Sequence, residues 1–265
     1  MMSGVENVNG RTRRLFIMDE SMTNPVAFPL QILHEEDGFL AVNKPAGLLV
    51  HRTRIARDAT TDVVSLLREQ TGHAYHPCHR LDRATSGVLL LACDLDTLRT
   101  LNRTFAEGRA EKGYLALVRG WIHEGGVIDS PLKREEPREP QGSRPLQSAI
   151  TRYQPLLRFE HPTASGPYAS TRLTLCALDP ETGRRHQLRR HLARLRHPVI
   201  GDSPHGDGRL NRWAREQLGT RRLFLHARSL RFPHPLTGAP LAVEADAGER
   251  WHTAIRRLEP FLCSS

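Results

Sequence analysis

His79-Arg80-Leu81-Asp82-Arg83-Ala84-Thr85-Ser86-Gly87 runs directly into Val88-Leu89-Leu90-Leu91-Ala92. The second half is apolar at every position and too short for a typical helix, so Ser86–Ala92 reads as a strand buried on both faces. The first half is the densest polar cluster in the chain. An acid between two arginines, on a loop fixed by a core strand, is well placed to be a rigid catalytic group, and its basic neighbours favour the ionised carboxylate. The competing reading is an aspartate that closes a turn through local hydrogen bonds.

Outward from this stretch, short strands and helices intermingle. Ile32-Leu33 and Phe39–Val42, separated by Glu35-Glu36-Asp37-Gly38, predict a hairpin. Thr60 to Gln70 reads as a helix with Val63, Val64 and Leu67 on one face and Thr60 or Thr61 as its cap. Asp94 can cap a second helix carrying Leu95, Leu98, Leu101 and Phe105, with Gly108 as its stop. Tyr114–Val118, Thr171–Leu178 and Leu223–Phe232 read as strands, and Asp179–Gly183 as a turn. Leu188, Leu192 and Leu195 mark a helix at i, i+4 and i+7, and Glu249–Leu258 a closing helix. Residues 1–27 read as a flexible tail, and 124–167 as a long irregular excursion. No regular βαβ alternation is present, so the expected class is α+β, a mixed α/β sheet rather than a doubly wound parallel one.

A chain of 265 residues can bury a core without disulfides or metals. Four cysteines without a C-x-x-C pair exclude a disulfide scaffold and most cysteine-based zinc motifs. No apolar run approaches a membrane span and no signal pattern opens the chain, so a cytoplasmic protein is expected. The net charge is +9, and among the 38 basic residues only Lys44, Lys112 and Lys133 are lysines. Eleven arginines lie between Arg184 and Arg222 against three acids, Asp202, Asp207 and Glu216. Such a concentration is an electrostatic footprint for a phosphate backbone; the alternative is a solvated face that binds nothing. Arg185, Arg189 and Arg196 flank one edge of the Leu188/Leu192/Leu195 stripe, so that edge can face a site.

Four ordered blocks carry a resemblance. They are Val42-Asn43-Lys44-Pro45-Ala46-Gly47-Leu48-Leu49-Val50-His51, the His79–Gly87 stretch, Lys112-Gly113-Tyr114-Leu115-Ala116-Leu117-Val118-Arg119-Gly120, and Thr182-Gly183-Arg184-Arg185-His186-Gln187-Leu188-Arg189-Arg190-His191-Leu192 continuing to Gly201-Asp202. Together they resemble the RluA-type pseudouridine synthases from about residue 30 to 260. Leu49-Val50-His51-Arg52, Arg189–Pro198 and Gly201-Asp202-Ser203-x-His205-Gly206-Asp207 are most similar to the branch acting on tRNA at uridine 65; the ribosomal-RNA members are the nearest alternative. The resemblance implies a pseudouridine synthase fold: a central mixed, largely antiparallel sheet flanked by helices and loops, with the catalytic cleft across it. It implies one catalytic domain over 28–262, and the leader reads as too short and irregular for an RNA-binding S4 domain.

The implied reaction breaks the C1′–N1 bond, turns the uracil and rejoins C1′ to C5. It is an isomerisation that needs no metal and no cofactor, and neither a P-loop nor a GxGxxG turn is present. Asp82 matches the catalytic aspartate, Tyr114 the tyrosine that packs on the base and helps remove the C5 proton, and Arg189 the basic partner of the aspartate. Arg184 is the alternative partner; Arg189 is preferred because it lies beside Leu188 on the helix while Arg184 lies at the turn. Arg80 matches the residue that holds the flipped-out nucleotide, whose extrusion from the stack costs a few kcal/mol. Lys44, Arg83, Arg184, Arg185, His186 and Arg190 are the further expected RNA contacts. The implied partner is a tRNA substrate, read by shape, phosphates and 2′-hydroxyls, with a monomer expected and no obligate protein partner or membrane.

Two other classes compete. A metal hydrolase would use His73, His76, Cys78 and His79, or His186 and His191, but the spacing fits no common zinc pattern. A non-catalytic RNA binder would use the arginine-rich surface alone, and leaves Asp82, Tyr114 and Arg189 together without a purpose.

Overall fold

The computed structural model describes residues 29–51, 61–134 and 145–263; the expected tail at 1–27, Thr60, Arg52 and Glu135-Glu136-Pro137 lie outside the described residues. The hairpin forms as expected, from strands β1 (Gln31–Glu36) and β2 (Phe39–Lys44) paired antiparallel. Helix α1 (Val63–Thr71) is capped by Asp62, whose Oδ1 accepts from Ser65 N at 3.0 Å, and not by Thr61. A carboxylate both accepts this bond and meets the positive end of the helix dipole. After the two-residue strand β3 (His76–Pro77) comes β4, Ser86–Ala92, buried at every position.

The continuous apolar run of β4 has a simple cause: both faces of its sheet are covered. Leu89 and Leu91 pack with Leu40 and Val42 of β2 against Val63, Leu66 and Leu67 of α1. Val88, Leu90 and Ala92 pack on the opposite side with Phe39 and Ala41 against Leu101. Leu101 belongs to α2 (Leu95–Ala106), which Asp94 caps through the N–H groups of Asp96 and Thr97. Its buried face is Thr97, Leu101 and Thr104, with Leu98 and Phe105 partly buried; Leu95, expected on the apolar stripe, is exposed at the first turn.

Strand β5 (Glu111–Arg119) leads into the region read as an irregular excursion, and here the expectation is corrected. It holds β6 (Gly126–Asp129), the short pair β7 (Leu132–Lys133) and β8 (Leu146–Gln147), and the twelve-residue β9 (Ile150–His161). β9 pairs along its length with β10 (Thr171–Pro180), which overruns the expected turn at Asp179. Pro155 interrupts the pattern at a register shift, where a residue without an N–H is tolerated. Leu156 and Leu157 remain partly exposed, so β9 shows no clean alternation.

Helix α3 (Gln187–Arg194) buries Leu188 and Leu192, while Leu195 is its exposed C-cap. Then follow α4 (Gly208–Gln217), β11 (Leu225–Pro233), β12 (Pro240–Glu244) and α5 (Glu249–Arg256). α4 and β12 were not expected. The large sheet runs β1-β2-β4-β11-β5-β10-β9-β6, with β12 on β11 and β3 on β4. It is mixed and largely antiparallel; β4 and β11 are its parallel pair. That pairing requires Gly87: φ is 118°, and a Cβ there would lie 2.0 Å from the Ala227 carbonyl oxygen. The glycine thus lets β4 begin against β11 just after the Asp82 loop. Beyond β11, Leu188, Leu192, Trp213 and Trp251 of the helices α3, α4 and α5 pack with Leu117, Cys176 and Phe224 in the largest core cluster.

Candidate active site

The Asp82 loop is pinned from below. Leu81 is buried, and Thr85 N donates to the Asp82 carbonyl at 3.1 Å. The turn reading of this loop holds for the backbone: the Asp82 carbonyl closes the turn, and the carboxylate takes no part in it. Gly47 N donates to the Arg83 carbonyl at 2.7 Å, and Arg83 Nε returns a bond to the Gly47 carbonyl at 3.0 Å.

Lys44 lies underneath, fully buried, with Nζ donating to the carbonyls of Pro45 and Leu48 at 2.8 Å and of Arg83 at 3.2 Å. This corrects the expectation that Lys44 meets RNA: no surface is available for it to do so. Burial pulls its pKa to about 7 against the opposing charge of Asp82, while three acceptors call for the three N–H donors of the ammonium form. Arg83 is likewise turned to the Gly47 turn and does not line the cavity beside Asp82.

α3 brings the opposite wall. Gln187 fixes its entry: Oε1 accepts from Thr182 Oγ1 at 2.7 Å and Arg184 N at 3.0 Å, while Nε2 donates to the Ile150 carbonyl at 2.9 Å. Two residues on, Arg189 is buried and forms a bidentate pair with Asp202, Nε to Oδ2 and Nη2 to Oδ1 both at 2.8 Å. Its remaining nitrogen, Nη1, donates to Asp82 Oδ2 at 3.0 Å. Burial opposes charge on Arg189, and the bonds and charges of Asp202 and Asp82 outweigh it, so its pKa is raised. Burial would raise the pKa of Asp202, and Arg189 outweighs it and lowers it. The guanidinium is thus a fixed cation whose free edge points at Asp82.

Asp82, Gln187 and Arg189 line a cavity of about 570 Å³ with Tyr114, Arg80, Lys112 and Phe105. Burial, and secondarily the charge of Asp82, pushes the Tyr114 phenol up, so it stays protonated at neutral pH. Arg80 is exposed at the rim. Arg185 and His186 line the cavity; His186 adopts φ 52°, with Nδ1 3.0 Å from His205 Nε2 and Nε2 3.9 Å from Asp82 Oδ2. Arg184 also lines it, but its Nε is bonded to the Ser148 carbonyl, so it is not the partner of Asp82. Arg190 reaches the Lys133 carbonyl and lies outside the lining.

Two arginines of the basic stretch are interior. Arg189 is one; Arg222 donates to Ser86 Oγ at 2.7 Å and lies over Trp251. Arg196, expected on the site edge, is exposed beyond the end of α3, with its carbonyl held by Arg119. His79 is also structural: Nε2 accepts from Leu90 N at 3.0 Å, and burial pulls its pKa to about 4. Among the described residues no group of three or more His, Cys, Asp or Glu could hold a metal ion, and no helix is long and apolar enough to cross a membrane. Asp202, His205 and Lys112 were not singled out as site residues from sequence. The pairing of Asp202 was hidden because it depends on the chain returning over thirteen residues to α3.

The family described as RNA pseudouridylate synthase matches residues 38–194. A tRNA pseudouridine synthase C of Vibrio cholerae is 46% identical over 226 residues, covering 84% of this chain and 93% of the relative. One of Salmonella typhimurium is 45% identical over 233 residues, covering 85% and 88%. Among solved structures, human RNA Pseudouridylate Synthase Domain Containing 1 has a TM-score of 0.67 at 28% identity, covering 85% of this chain and 86% of its own. Human RNA Pseudouridylate Synthase Domain Containing 4 has a TM-score of 0.66 at 28% identity, with 88% and 94% covered.

Proposed function

Because the chain belongs to the RNA pseudouridylate synthase family, we propose that it isomerises a uridine of tRNA, uridine 65, to pseudouridine, with Asp82 as the catalytic carboxylate. The observation that carries the assignment is the single hydrogen bond from Arg189 to Asp82. It holds one carboxylate oxygen by a cation that Asp202 has already oriented, and leaves the other oxygen to the cavity. Whether Asp82 adds to the substrate or deprotonates the sugar, it must be ionised and held against the nucleotide, and a preoriented cation serves both needs.

Tyr114 faces the same cavity as a protonated phenol. That form suits packing against the uracil and hydrogen bonding to it; acting as the base at C5 would need the phenolate, which burial disfavours. Arg80 at the rim suits the space left by the extruded nucleotide, because a planar guanidinium stacks and hydrogen-bonds at once. Arg185 and His186 contribute the α3 side of the nucleotide site. The tRNA target is supported by the names of relatives at 46% and 45% identity, and the position by the sequence blocks around His51, Arg189 and Asp202. A cytoplasmic monomer is the working state of the enzyme in this reading.

The test is Asp82→Asn. The near-isosteric change should leave tRNA affinity and folding largely intact while release of tritium from C5-labelled uridine in tRNA falls to background. Multiple turnover by the variant would refute the assignment, and mapping pseudouridine in wild-type product reads the position.

A further inference from the structure

Lys112 carries a cation that none of the described residues meets with an anion. It lies on β5 two residues before Tyr114, so the two side chains leave the same face of the strand. It lines the cavity that holds Asp82 and also a second cavity, of about 730 Å³, that adjoins the first and contains Arg152, Arg228 and Arg231 with Glu111, Asp179, Glu181 and Glu244. Lys112 therefore lies where the nucleotide site meets an open extension of the cleft, with Tyr114 and Glu181 also lining both cavities. Its Nζ reaches across to the turn before α3, where a Cβ on Gly183 would lie 4.0 Å away. Among the described residues, no hydrogen bond and no carboxylate within 4.0 Å engages that ammonium. The neighbouring titratable group it acts on is His79, whose protonation it disfavours.

The other interior cations of this region each have hydrogen-bond partners within the protein. Lys44 has three carbonyls, Arg189 has two carboxylates, and Arg222 has Ser86 Oγ and the Ala247 carbonyl. Of these four, Lys112 is the one that lines the cavity with no hydrogen bond to its side chain among the described residues; Arg222 is also half-buried, with Nε unpartnered, but lies outside that lining. Desolvating an ammonium without a partner is costly, and burial accordingly lowers its pKa. A cation kept at that cost, at the mouth of a site for a polyanion, is matched by an incoming anion.

We propose that Lys112 binds a backbone phosphodiester flanking the target uridine and thereby holds the extruded nucleotide while its base packs on Tyr114. The inference rests on the reading of the Asp82 cavity as the nucleotide site. The ligand is a phosphodiester because that is the anion an RNA strand presents where a flipped nucleotide leaves the helix. As a point charge on a flexible stem, Lys suits a phosphate whose orientation changes when the base turns, whereas Arg would demand a fixed fork.

The experiment uses the full chain and a tRNA assembled from two pieces, one carrying a neutral methylphosphonate 5′ or 3′ of the target uridine. Lys112→Met should raise KM and the tRNA Kd about tenfold, the size expected of one charged hydrogen bond. It should leave kcat within a few-fold and flatten the salt dependence by ~0.7–0.9 in log–log slope. Lys112→Arg should recover most of the affinity. The methylphosphonate at one of the two positions should weaken wild-type binding by the same factor and leave Lys112→Met unaffected. A methylphosphonate penalty of equal size in both proteins, at both positions, would overturn the proposal. So would a loss of kcat at unchanged KM and salt slope. If Lys112→Met fails to fold, wild type and Lys112→Arg with the modified tRNA still decide: no methylphosphonate effect at either position rejects it. An active Asp82→Asn enzyme would instead reject the reading of the cavity, which keeps the two failures apart.

Discussion

Asp202 takes two of the three nitrogens of Arg189 at 2.8 Å and leaves the third, Nη1, 3.0 Å from Asp82. The order of these contacts matters. Asp202 is fully buried and cannot touch a substrate, whereas the Asp82 side chain is 20% exposed and faces the cavity. The inner carboxylate therefore fixes the cation, and the cation fixes the outer carboxylate. Asp202 is also tied to the loop after α3 through His205 N at 3.1 Å and caps no helix of its own.

Asp202→Asn should therefore reduce turnover without touching the substrate. Arg189 would lose one charged partner and gain freedom to rotate, and a displacement of order 1 Å at a reacting group costs about 100-fold. Removing one member of a buried ion pair should also cost about 3 kcal/mol of stability, since the other charge stays buried. Single-turnover rates and urea unfolding measure the two effects separately. An Asp202→Asn enzyme with wild-type kcat would show that Arg189 is held by its packing alone.

Arg189→Met and Arg184→Met distinguish the two candidate partners of Asp82. With Arg184 Nε bonded to the Ser148 carbonyl and Arg189 to both carboxylates, the first change should reduce kcat by at least 100-fold and the second by less than tenfold. Arg184→Met should act instead on KM, because Arg184 lines the cavity. The reverse ranking in a side-by-side kinetic comparison would reassign the pair.

What could be read in the sequence follows from how local its cause is. β4 was legible residue by residue because helices cover both its faces, which forces an unbroken apolar run. β9 was not: Pro155, Leu156 and Leu157 break its alternation, and its regularity comes from a partner strand ten or more residues away. α4 was hidden for another reason. Its sequence Gly208–Gln217 anchors through Leu210, Trp213 and Ala214 only, so its arginines read as surface charge before they read as helix. At the site, Asp82, Tyr114 and Arg189 stood out by motif, while the burial of Lys44 depends on the Arg83 carbonyl 39 residues later. No local pattern separates a buried lysine of that kind from one that meets RNA.

The basic footprint is narrower than its composition implies. Arg189 and Arg222 serve the interior, which leaves Arg185, Arg194 and Arg196 around α3 and the arginines of α4 and the following turn exposed. Arg212, Arg215 and Arg221 are exposed, and Asp207 is already committed to Arg119 at 2.7 Å and to the cap of α4. Replacing all three with Ala should weaken tRNA binding and lower the salt slope by up to about 2, at ~0.7 per lost phosphate contact. Turnover at saturating tRNA should stay near wild type. Filter binding between low and moderate salt reads both quantities, and an unchanged slope would place the footprint elsewhere.

The last prediction concerns acid stability. His79 accepts a hydrogen bond from Leu90 N through Nε2, lies against Phe105 with the rings tilted and close to Lys112, and burial pulls its pKa from 6.5 to about 4. The folded state therefore binds fewer protons than the unfolded state between those values. The associated stability is present in full above pH 6.5 and is lost as pH falls toward 4, by an amount of order 3 kcal/mol. His161, His191 and His226 are shifted in the same direction by burial, so the wild-type slope contains more than one histidine. His79→Gln isolates one of them, because its amide oxygen can still accept from Leu90 N while adding no titration. Urea unfolding at pH 7.5, 6.5, 5.5 and 5 should give a wild-type stability that falls more steeply than that of the variant. The difference in slope should approach one proton near pH 5. Parallel pH profiles for the two proteins would mean that His79 is protonated equally in both states, and that its bond to the β4 backbone is not held by a neutral ring.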